Sequence, residues 1–197
     1  MEKHIIGLTG SIGSGKSLAA NIFLRHGAKV ISADALAKRV LVEDMEARPM
    51  LLEALGPECF APDGLPIAGR IAAAVFSDEA KLRALEAVIH PRTRLLWERQ
   101  LEGANGLVVV EIPLLFEKSL EKNFDICATV FCSDPIRYER LARRGLGPGE
   151  VAARDSFQMP ADGKMKLADI VFFNDGTPSF LEDQILIFVN RLYGRRE

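Results

Sequence analysis

A three-layer α/β fold on a five-stranded parallel sheet is predicted by two observations. Five short apolar segments are nearly continuous rather than alternating, and longer segments with helical periodicity separate them. The apolar segments span residues 4–9, 29–32, 107–112, 126–132 and 169–173. Strands of this kind are buried on both faces, so helices are required on each side of the sheet.

The first helix is predicted over residues 16–26, because its apolar positions recur at helical spacing and Gly27 suits the position after a helix. Further helical stretches are predicted over residues 34–56, 78–102 and 178–194. About 75 residues separate the second and third strands, far more than a crossover connection needs. We therefore expect a helical insertion there that contributes a binding surface.

The composition is that of an ordinary globular protein of 197 residues, with 48% hydrophobic residues and a mean hydropathy near zero. A net charge of −2 argues against a nucleic-acid or membrane partner. No signal peptide is recognisable at the N-terminus, so a cytoplasmic location is expected, and we expect a monomer. The three cysteines lack metal-ligand spacing and are predicted to be buried.

Residues 10–17 read G-S-I-G-S-G-K-S, which fits the phosphate-binding P-loop pattern G-x-x-x-x-G-K-[ST] in full. The segment follows the first predicted strand and opens the first predicted helix, as a P-loop must. Its glycines let backbone N–H groups turn toward phosphates. Lys16 is expected to reach the β and γ phosphates, and the Ser17 hydroxyl to bind Mg²⁺. The predicted ATP contacts in this segment are Gly10, Gly13, Ser14, Gly15, Lys16, Ser17 and Leu18.

A P-loop alone does not define the activity. The guanine-reading N-K-x-D and the D-x-x-G of GTP-binding switches are both missing from the sequence, which argues against that class. A small phosphoryl-transfer enzyme remains, and such an enzyme needs an acceptor base and phosphate-neutralising cations.

Asp34 follows the second predicted strand, at the carboxyl edge where open α/β sheets bind ligands. Its carboxylate is suited to accept the proton of an attacking hydroxyl or to support a magnesium ion. Capping of the next helix by Asp34 or Ser32 is an equally simple interpretation.

Cations are concentrated in residues 135–167. Arg140 shares a helical face with three further arginines at spacings of three and four, Arg137, Arg143 and Arg144. One interpretation is a solvated helix face. The other is a lid, a segment that brings arginines onto the triphosphate.

Several strings in sequence order together resemble the signature segments of the dephospho-CoA kinase family: GLTGSIGSGKS, VISADALAKRV, VIHPRTR, VVVEIPLLFE, RYERLARRG, ARDSFQMP and KMKLADIVFFNDGT. The resemblance implies a P-loop nucleotide-kinase fold in one domain over residues 1–197. A core (about 1–33, 105–134 and 168–197) would carry a helical CoA-binding part (about 34–104) and a lid (about 135–167). It implies transfer of the γ-phosphoryl group of ATP, with Mg²⁺, to the ribose 3′-hydroxyl of dephospho-CoA.

The resemblance also implies roles for particular residues. Asp34 would be the catalytic base, Lys16 and Arg140 the catalytic cations, and Arg143 and Asn174 further ATP contacts, with Asn174 at the adenine. The acceptor side would comprise Thr9, Asp34 and His90. The alternative for His90, which precedes a proline, is that it only makes a hydrogen bond within a turn.

Three positions depart from the family pattern. Ser32 replaces the first aspartate of a D-A-D turn, Leu18 a threonine, and Glu111 an aspartate. A kinase for another small hydroxyl acceptor, such as a nucleoside or nucleotide, and a regulatory nucleotide-binding module are the alternatives.

Overall fold

The computed structural model describes residues 3–194, except the side chain of Phe76. Within that range one five-stranded parallel sheet has the order β2-β3-β1-β4-β5. The strands are β1 (His4–Thr9), β2 (Lys29–Ser32), β3 (Leu107–Glu111), β4 (Ile126–Phe131) and β5 (Ile170–Phe173). Each bound lies within one residue of the prediction, and the predicted α/β fold is confirmed.

The helices are α1 (Lys16–Arg25), α2 (Ala33–Glu43), α3 (Arg48–Leu55), α4 (Ala68–Ser77), α5 (Glu79–Glu102), α6 (Asp134–Arg143), α7 (Pro148–Asp155), α8 (Ala161–Leu167) and α9 (Pro178–Leu192). They belong to two compact units. Within the described residues, the first comprises 3–31 and 104–194, and the second comprises 32–103.

In the first unit β1 is the central strand, with Ile6 opposite Val109 of β3 and Ile126 of β4. Alternate residues of a strand point to opposite faces. Ile6 and Leu8 accordingly belong to a core with α1 and α9, where the rings of Phe23 and Phe172 meet edge to face at 5.9 Å.

The other face of β1 is covered by different residues. A Cβ built on Gly7 would lie 2.5 Å from Leu115 Cδ1 and 2.7 Å from the Phe124 ring, so this position requires glycine. Thr9 shares this face and contacts Lys164 of α8. Helical and loop segments therefore cover both faces of the sheet, which accounts for the apolar character of its strands.

The second unit consists of helices α2 to α5. Its core is formed by Val40, Ala47, Leu51, Leu55, Cys59, Phe60, Ile71, Val88 and Ile89. Two details of the prediction for this region are wrong. Residues 34–56 form two helices rather than one, because Asp44 Oδ1 accepts hydrogen bonds from Glu46 and Ala47 N–H, and Pro49 opens α3. Helix α4 was not predicted; its Ile71 is buried in the core.

Throughout residues 3–194, no helix has both the length and the apolar character that crossing a bilayer requires.

Candidate active site

The P-loop connects β1 to α1 in a conformation that depends on glycine. Gly15 caps α1 with φ 98°, and a Cβ on it would lie 2.1 Å from Asn174 Nδ2. Gly13 has φ 80°, and a Cβ there would lie 2.9 Å from both Arg137 Cγ and Leu141 Cγ. Larger residues at either position would meet a strained backbone and an occupied space. The loop is therefore shaped both by its own backbone and by the side chains around it.

Three side chains distant in sequence hold the backbone of this loop. Gln158 Oε1 accepts from Ile12 N–H at 3.0 Å, and Arg137 Nη1 donates to Ile12 O at 3.2 Å. Asn174 Nδ2 donates to Ser14 O at 2.7 Å. The loop is thus fixed from α6, from the segment after α7 and from the end of β5.

Lys16 and Ser17 open α1 at the end of the loop. Lys16 Nζ donates to Gly10 O at 3.2 Å, and Ser17 Oγ donates to Glu111 Oε1 at 2.9 Å. Ser17 is exposed, whereas the buried Ser14 Oγ has no partner in the described part of the chain. Leu18 packs against the core under the sheet. The predicted metal ligand Ser17 therefore pairs its hydroxyl with the carboxylate of Glu111.

Thr9, predicted at the acceptor side, is fully buried at the end of β1. Its Oγ1 donates to Pro113 O at 3.0 Å and accepts from Lys164 Nζ at 3.4 Å. Lys164 Nζ also donates to Pro113 O and to Glu117 Oε1, each at 2.8 Å. Burial lowers the pKa of Lys164, and the hydrogen bond to Glu117 opposes that effect.

Lys164 and Glu117 form a buried ion pair that sequence reasoning missed. Lys164 lies in the cation-rich segment of residues 135–167, for which the sequence suggests a solvated or phosphate-binding cation rather than a buried one. The signal in the sequence is weak, because nothing near Lys164 in the chain indicates which carboxylate it meets.

The arginines of α6 have different surroundings. Arg137 is 5% exposed and binds Asp155 through two nitrogens and Asp134. Burial opposes its charge, but the hydrogen bonds to Asp155 and Asp134 prevail and raise the pKa of Arg137. The prediction that Arg137 shares an accessible basic face is wrong, because its guanidinium group is buried and bound to Asp155 and Asp134.

Arg140 and Arg143 are more accessible. Arg140 is half-buried and its Nη1 lies 3.4 Å from Cys132 Sγ. Arg143 is exposed and pairs with Glu139 one turn earlier in the helix. Such exposed ion pairs contribute little to stability. Both guanidinium groups can exchange these weak contacts for phosphate oxygens.

Asn174, predicted at the adenine, is 2% exposed beneath the P-loop, and its Oδ1 has no partner among the described residues. Its neighbour Asp175 accepts from both the N–H and the hydroxyl of Ser133. Burial opposes the Asp175 charge, but the hydrogen bonds from Ser133 outweigh it and lower the pKa of Asp175. The segment after β5 is therefore tied to the P-loop and to the start of α6.

Asp34 and His90 belong to the second unit. Ser32 Oγ accepts from Ala35 N–H and caps α2, so Asp34 is left exposed in the first turn. His90 precedes Pro91 in the middle of α5 rather than in a turn. Its Nε2 lies 4.0 Å from Glu86 Oε1.

The three cysteines are free and buried, as predicted. Burial raises the pKa of Cys127 to about 11, with nearby Asp169 and Glu121 adding to the effect. The Cys127 thiol is therefore a packing group rather than a nucleophile.

Comparison with known proteins gives consistent matches along the chain. The chain is 40% identical over 185 residues to the dephospho-CoA kinase of Deinococcus radiodurans, covering 91% of this chain and 88% of the relative. It is 37% identical to that of Anaeromyxobacter dehalogenans over an alignment of 201 positions, gaps included, which covers 98% of this chain and 95% of the relative.

Solved structures agree with these matches. The crystal structure of TT1252 from Thermus thermophilus aligns with a TM-score of 0.82 and 39% identity, over 98% of this chain and 99% of that one. Shikimate kinase from Acinetobacter baumannii shares the fold at a TM-score of 0.56 and 13% identity, over 98% of this chain and 94% of that one. The sequence model of dephospho-CoA kinase matches residues 4–179, and this chain belongs to the dephospho-CoA kinase family.

Proposed function

We propose that this protein transfers the γ-phosphoryl group of ATP to the ribose 3′-hydroxyl of dephospho-CoA, with coenzyme A and ADP as products. The proposal is supported by a glycine-dependent P-loop between β1 and α1, with Lys16 and Ser17 at the start of α1, in a chain that matches this family over residues 4–179. ATP is the donor that the kinase family implies.

On the donor side, the loop amides and Lys16 bind the phosphates. Lys16 Nζ now donates to Gly10 O at 3.2 Å, and it would exchange that bond for β- and γ-phosphate oxygens. The positive end of α1 adds to the attraction. The predicted contacts of Ser14 and Leu18 to ATP are then backbone contacts, because the Ser14 side chain is buried and Leu18 packs on the core.

Mg²⁺ fits the chemistry of the donor set at the end of β3. The Ser17 hydroxyl and the Glu111 carboxylate are oxygen ligands of the kind magnesium prefers, and two protein oxygens suit an ion that keeps waters and phosphate oxygens. Ser17 would bind it directly, and Glu111 would orient a bound water. When bound, the ion would neutralise charge on the transferring phosphate.

On the acceptor side, Asp34 is the proposed general base. Its exposed carboxylate would take the proton of the 3′-hydroxyl as that oxygen forms its bond to the γ phosphorus and the bond to ADP breaks. Arg140 would stabilise the charge on the transferring group, with Arg143 as a second cation. His90 would contact the acceptor.

Two residues expected to contact the substrates, Asn174 and Thr9, are better explained as residues that shape the protein backbone around the site. Asn174 is buried against Ser14 O, which favours shaping of the P-loop over contact with adenine. Thr9 is occupied by Pro113 and Lys164, which favours shaping of the end of β1 over direct contact with dephospho-CoA.

A coupled assay for ADP tests the proposal. Protein with ATP and Mg²⁺ should release ADP only when dephospho-CoA is present, and phosphate should appear on the 3′-oxygen by phosphorus NMR. ADP release that depends on nucleosides or nucleotides instead would support a different kinase. Lack of acceptor-dependent release with every acceptor would leave only a nucleotide-binding protein.

Replacement of Asp34 by Asn tests the base. Asp34→Asn should lower kcat by roughly 10²- to 10⁴-fold, because the amide cannot take the proton, while the Kd for ATP stays near that of the parent. Rapid-quench kinetics and calorimetry measure the two quantities. An Asn variant with parental kcat would remove Asp34 from the mechanism.

A further inference from the structure

The residue at the tip of the P-loop, Ile12, has both of its backbone polar groups bound by side chains from elsewhere. Its N–H donates to Gln158 Oε1 at 3.0 Å, and its carbonyl accepts from Arg137 Nη1 at 3.2 Å. These groups belong to two successive peptide planes. The orientation of the chain on either side of Ile12 is therefore fixed from outside the loop.

The two contacts differ in what else they support. Arg137 is buried and also binds Asp134 and Asp155, so its removal would leave two carboxylates without their cation. Gln158 is half-buried, and within the described residues the hydrogen bond that its side-chain oxygen makes is the one from Ile12 N–H. Gln158 is thus the side chain whose contact with the loop can be tested separately from the core.

The backbone around Gln158 is itself well held. Gln158 N–H donates to Asp155 O at 3.0 Å, and the next residue, Met159, donates its N–H to Glu117 Oε1 at 2.7 Å. Glu117 in turn pairs with the buried Lys164. The Gln158 side chain therefore projects from a fixed segment.

The position of this contact in the loop gives it a consequence for phosphate binding. Ile12 is followed by Gly13 at φ 80°, where the chain turns, and Ser14 N–H closes the turn on Ser11 O at 3.1 Å. An unbound Ile12 N–H would free the Ser11–Ile12 peptide to rotate. Backbone amides that already point toward the phosphates lose little conformational entropy when ATP binds. A loop without the hydrogen bond at Ile12 N–H should therefore bind ATP more weakly.

We propose that Gln158 is a positioning residue for ATP, which acts through Ile12 to hold the phosphate cradle in its binding shape. Its side-chain oxygen is bonded to the backbone of the loop, so its effect on ATP would be transmitted through Ile12. The proposal rests on the proposed function in one respect, that the cradle binds ATP.

Substitution by methionine tests this role, because Gln158→Met keeps the length of the side chain and removes the acceptor. We expect the Kd for ATP, measured by calorimetry without an acceptor substrate, to rise about three- to tenfold, the loss typical of one hydrogen bond. KM for ATP should rise by the same factor, while KM for dephospho-CoA changes less than twofold. Gln158→Glu keeps the acceptor oxygen, and at high salt its Kd for ATP should lie nearer the parental value than that of the Met variant.

A control variant separates this role from local stability. Ser156→Ala removes the bond from Ser156 Oγ to Ala153 O at 2.8 Å in the same turn and should lower Tm without changing the Kd for ATP. An unchanged Kd in Gln158→Met, or an equal rise in Ser156→Ala, would overturn the proposal. Because Kd is measured without dephospho-CoA, failure of the parent to phosphorylate that substrate would contradict the proposed function and leave this test intact.

Discussion

At the scale of single residues, Glu111 places a carboxylate beside the hydroxyl that is proposed to bind magnesium. The family pattern has aspartate before I-P-L-L-F-E, and this chain has the longer glutamate at the end of β3. Its Oε1 accepts from Ser17 Oγ at 2.9 Å. The hydroxyl expected to bind magnesium is thereby oriented by a carboxylate.

Removal of that carboxylate should weaken magnesium binding. In Glu111→Gln, the Mg²⁺ concentration for half-maximal activity should rise roughly tenfold, as is typical when a group supporting a metal ligand is lost. Glu111→Asp, which restores the family residue and keeps the charge, should stay within about threefold of the parent. Magnesium titration of the initial rate measures both, and equal magnesium dependence in Gln and parent would contradict this role.

The arginine and lysine residues show that the burial of a cation could not be predicted from the sequence. The run around α6 is compatible with a solvated face or with a lid that brings arginines onto the triphosphate, and Arg140 and Arg143 are accessible as either requires. Arg137 and Lys164 have the same charge and are buried, because Asp155 and Glu117 reach them from other parts of the chain. Burial of a cation depends on such tertiary partners. Spacing within one segment therefore could not predict it.

At the scale of secondary-structure elements, the strands were predictable, whereas the division of the helical insertion into short helices was not. A strand buried on both faces has a continuous apolar run, so the bounds of β1 to β5 could be read closely. The division of residues 34–56 depends on one side chain, Asp44, whose preference for a turn overrides the helical periodicity around it. Helix α4 follows Pro66 and contains Gly69, and residues of these types are typical of a loop rather than a helix.

The start of α2 is such a local feature with a measurable effect. Ser32 has an extended backbone and its Oγ accepts from Ala35 N–H at 3.3 Å, so serine serves here as a helix cap. Ser32→Ala should lower the free energy of unfolding by about 1 kcal/mol. Ser32→Asp should leave it nearly unchanged, because aspartate caps as well and restores the family residue.

Urea denaturation followed by circular dichroism measures both Ser32 variants. An alanine variant as stable as the parent would show that the serine cap contributes nothing. The Asp variant also shows, through kcat, whether the missing family carboxylate matters for catalysis near Asp34.

At the scale of the whole molecule, the buried pair of Lys164 and Glu117 links segments far apart in sequence. Lys164 of α8 binds Glu117 Oε1 and Pro113 O after β3 and touches Thr9 at the end of β1. Glu117 Oε2 has no partner in residues 3–194, so the carboxylate depends on Lys164 and on Met159 N–H. These contacts fix the chain immediately before the P-loop and immediately after β3.

Loss of the lysine alone should therefore be more harmful than loss of both charges. Lys164→Met leaves a buried carboxylate without its cation, and the free energy of unfolding should fall by about 3–5 kcal/mol. Lys164→Met combined with Glu117→Gln removes the charge and keeps the acceptor for Met159 N–H, so it should recover at least half of that loss. Urea denaturation at neutral pH compares the two. A double variant as unstable as the single one would show that Lys164 contributes by packing and by its bond to Pro113 O, and not by neutralising Glu117.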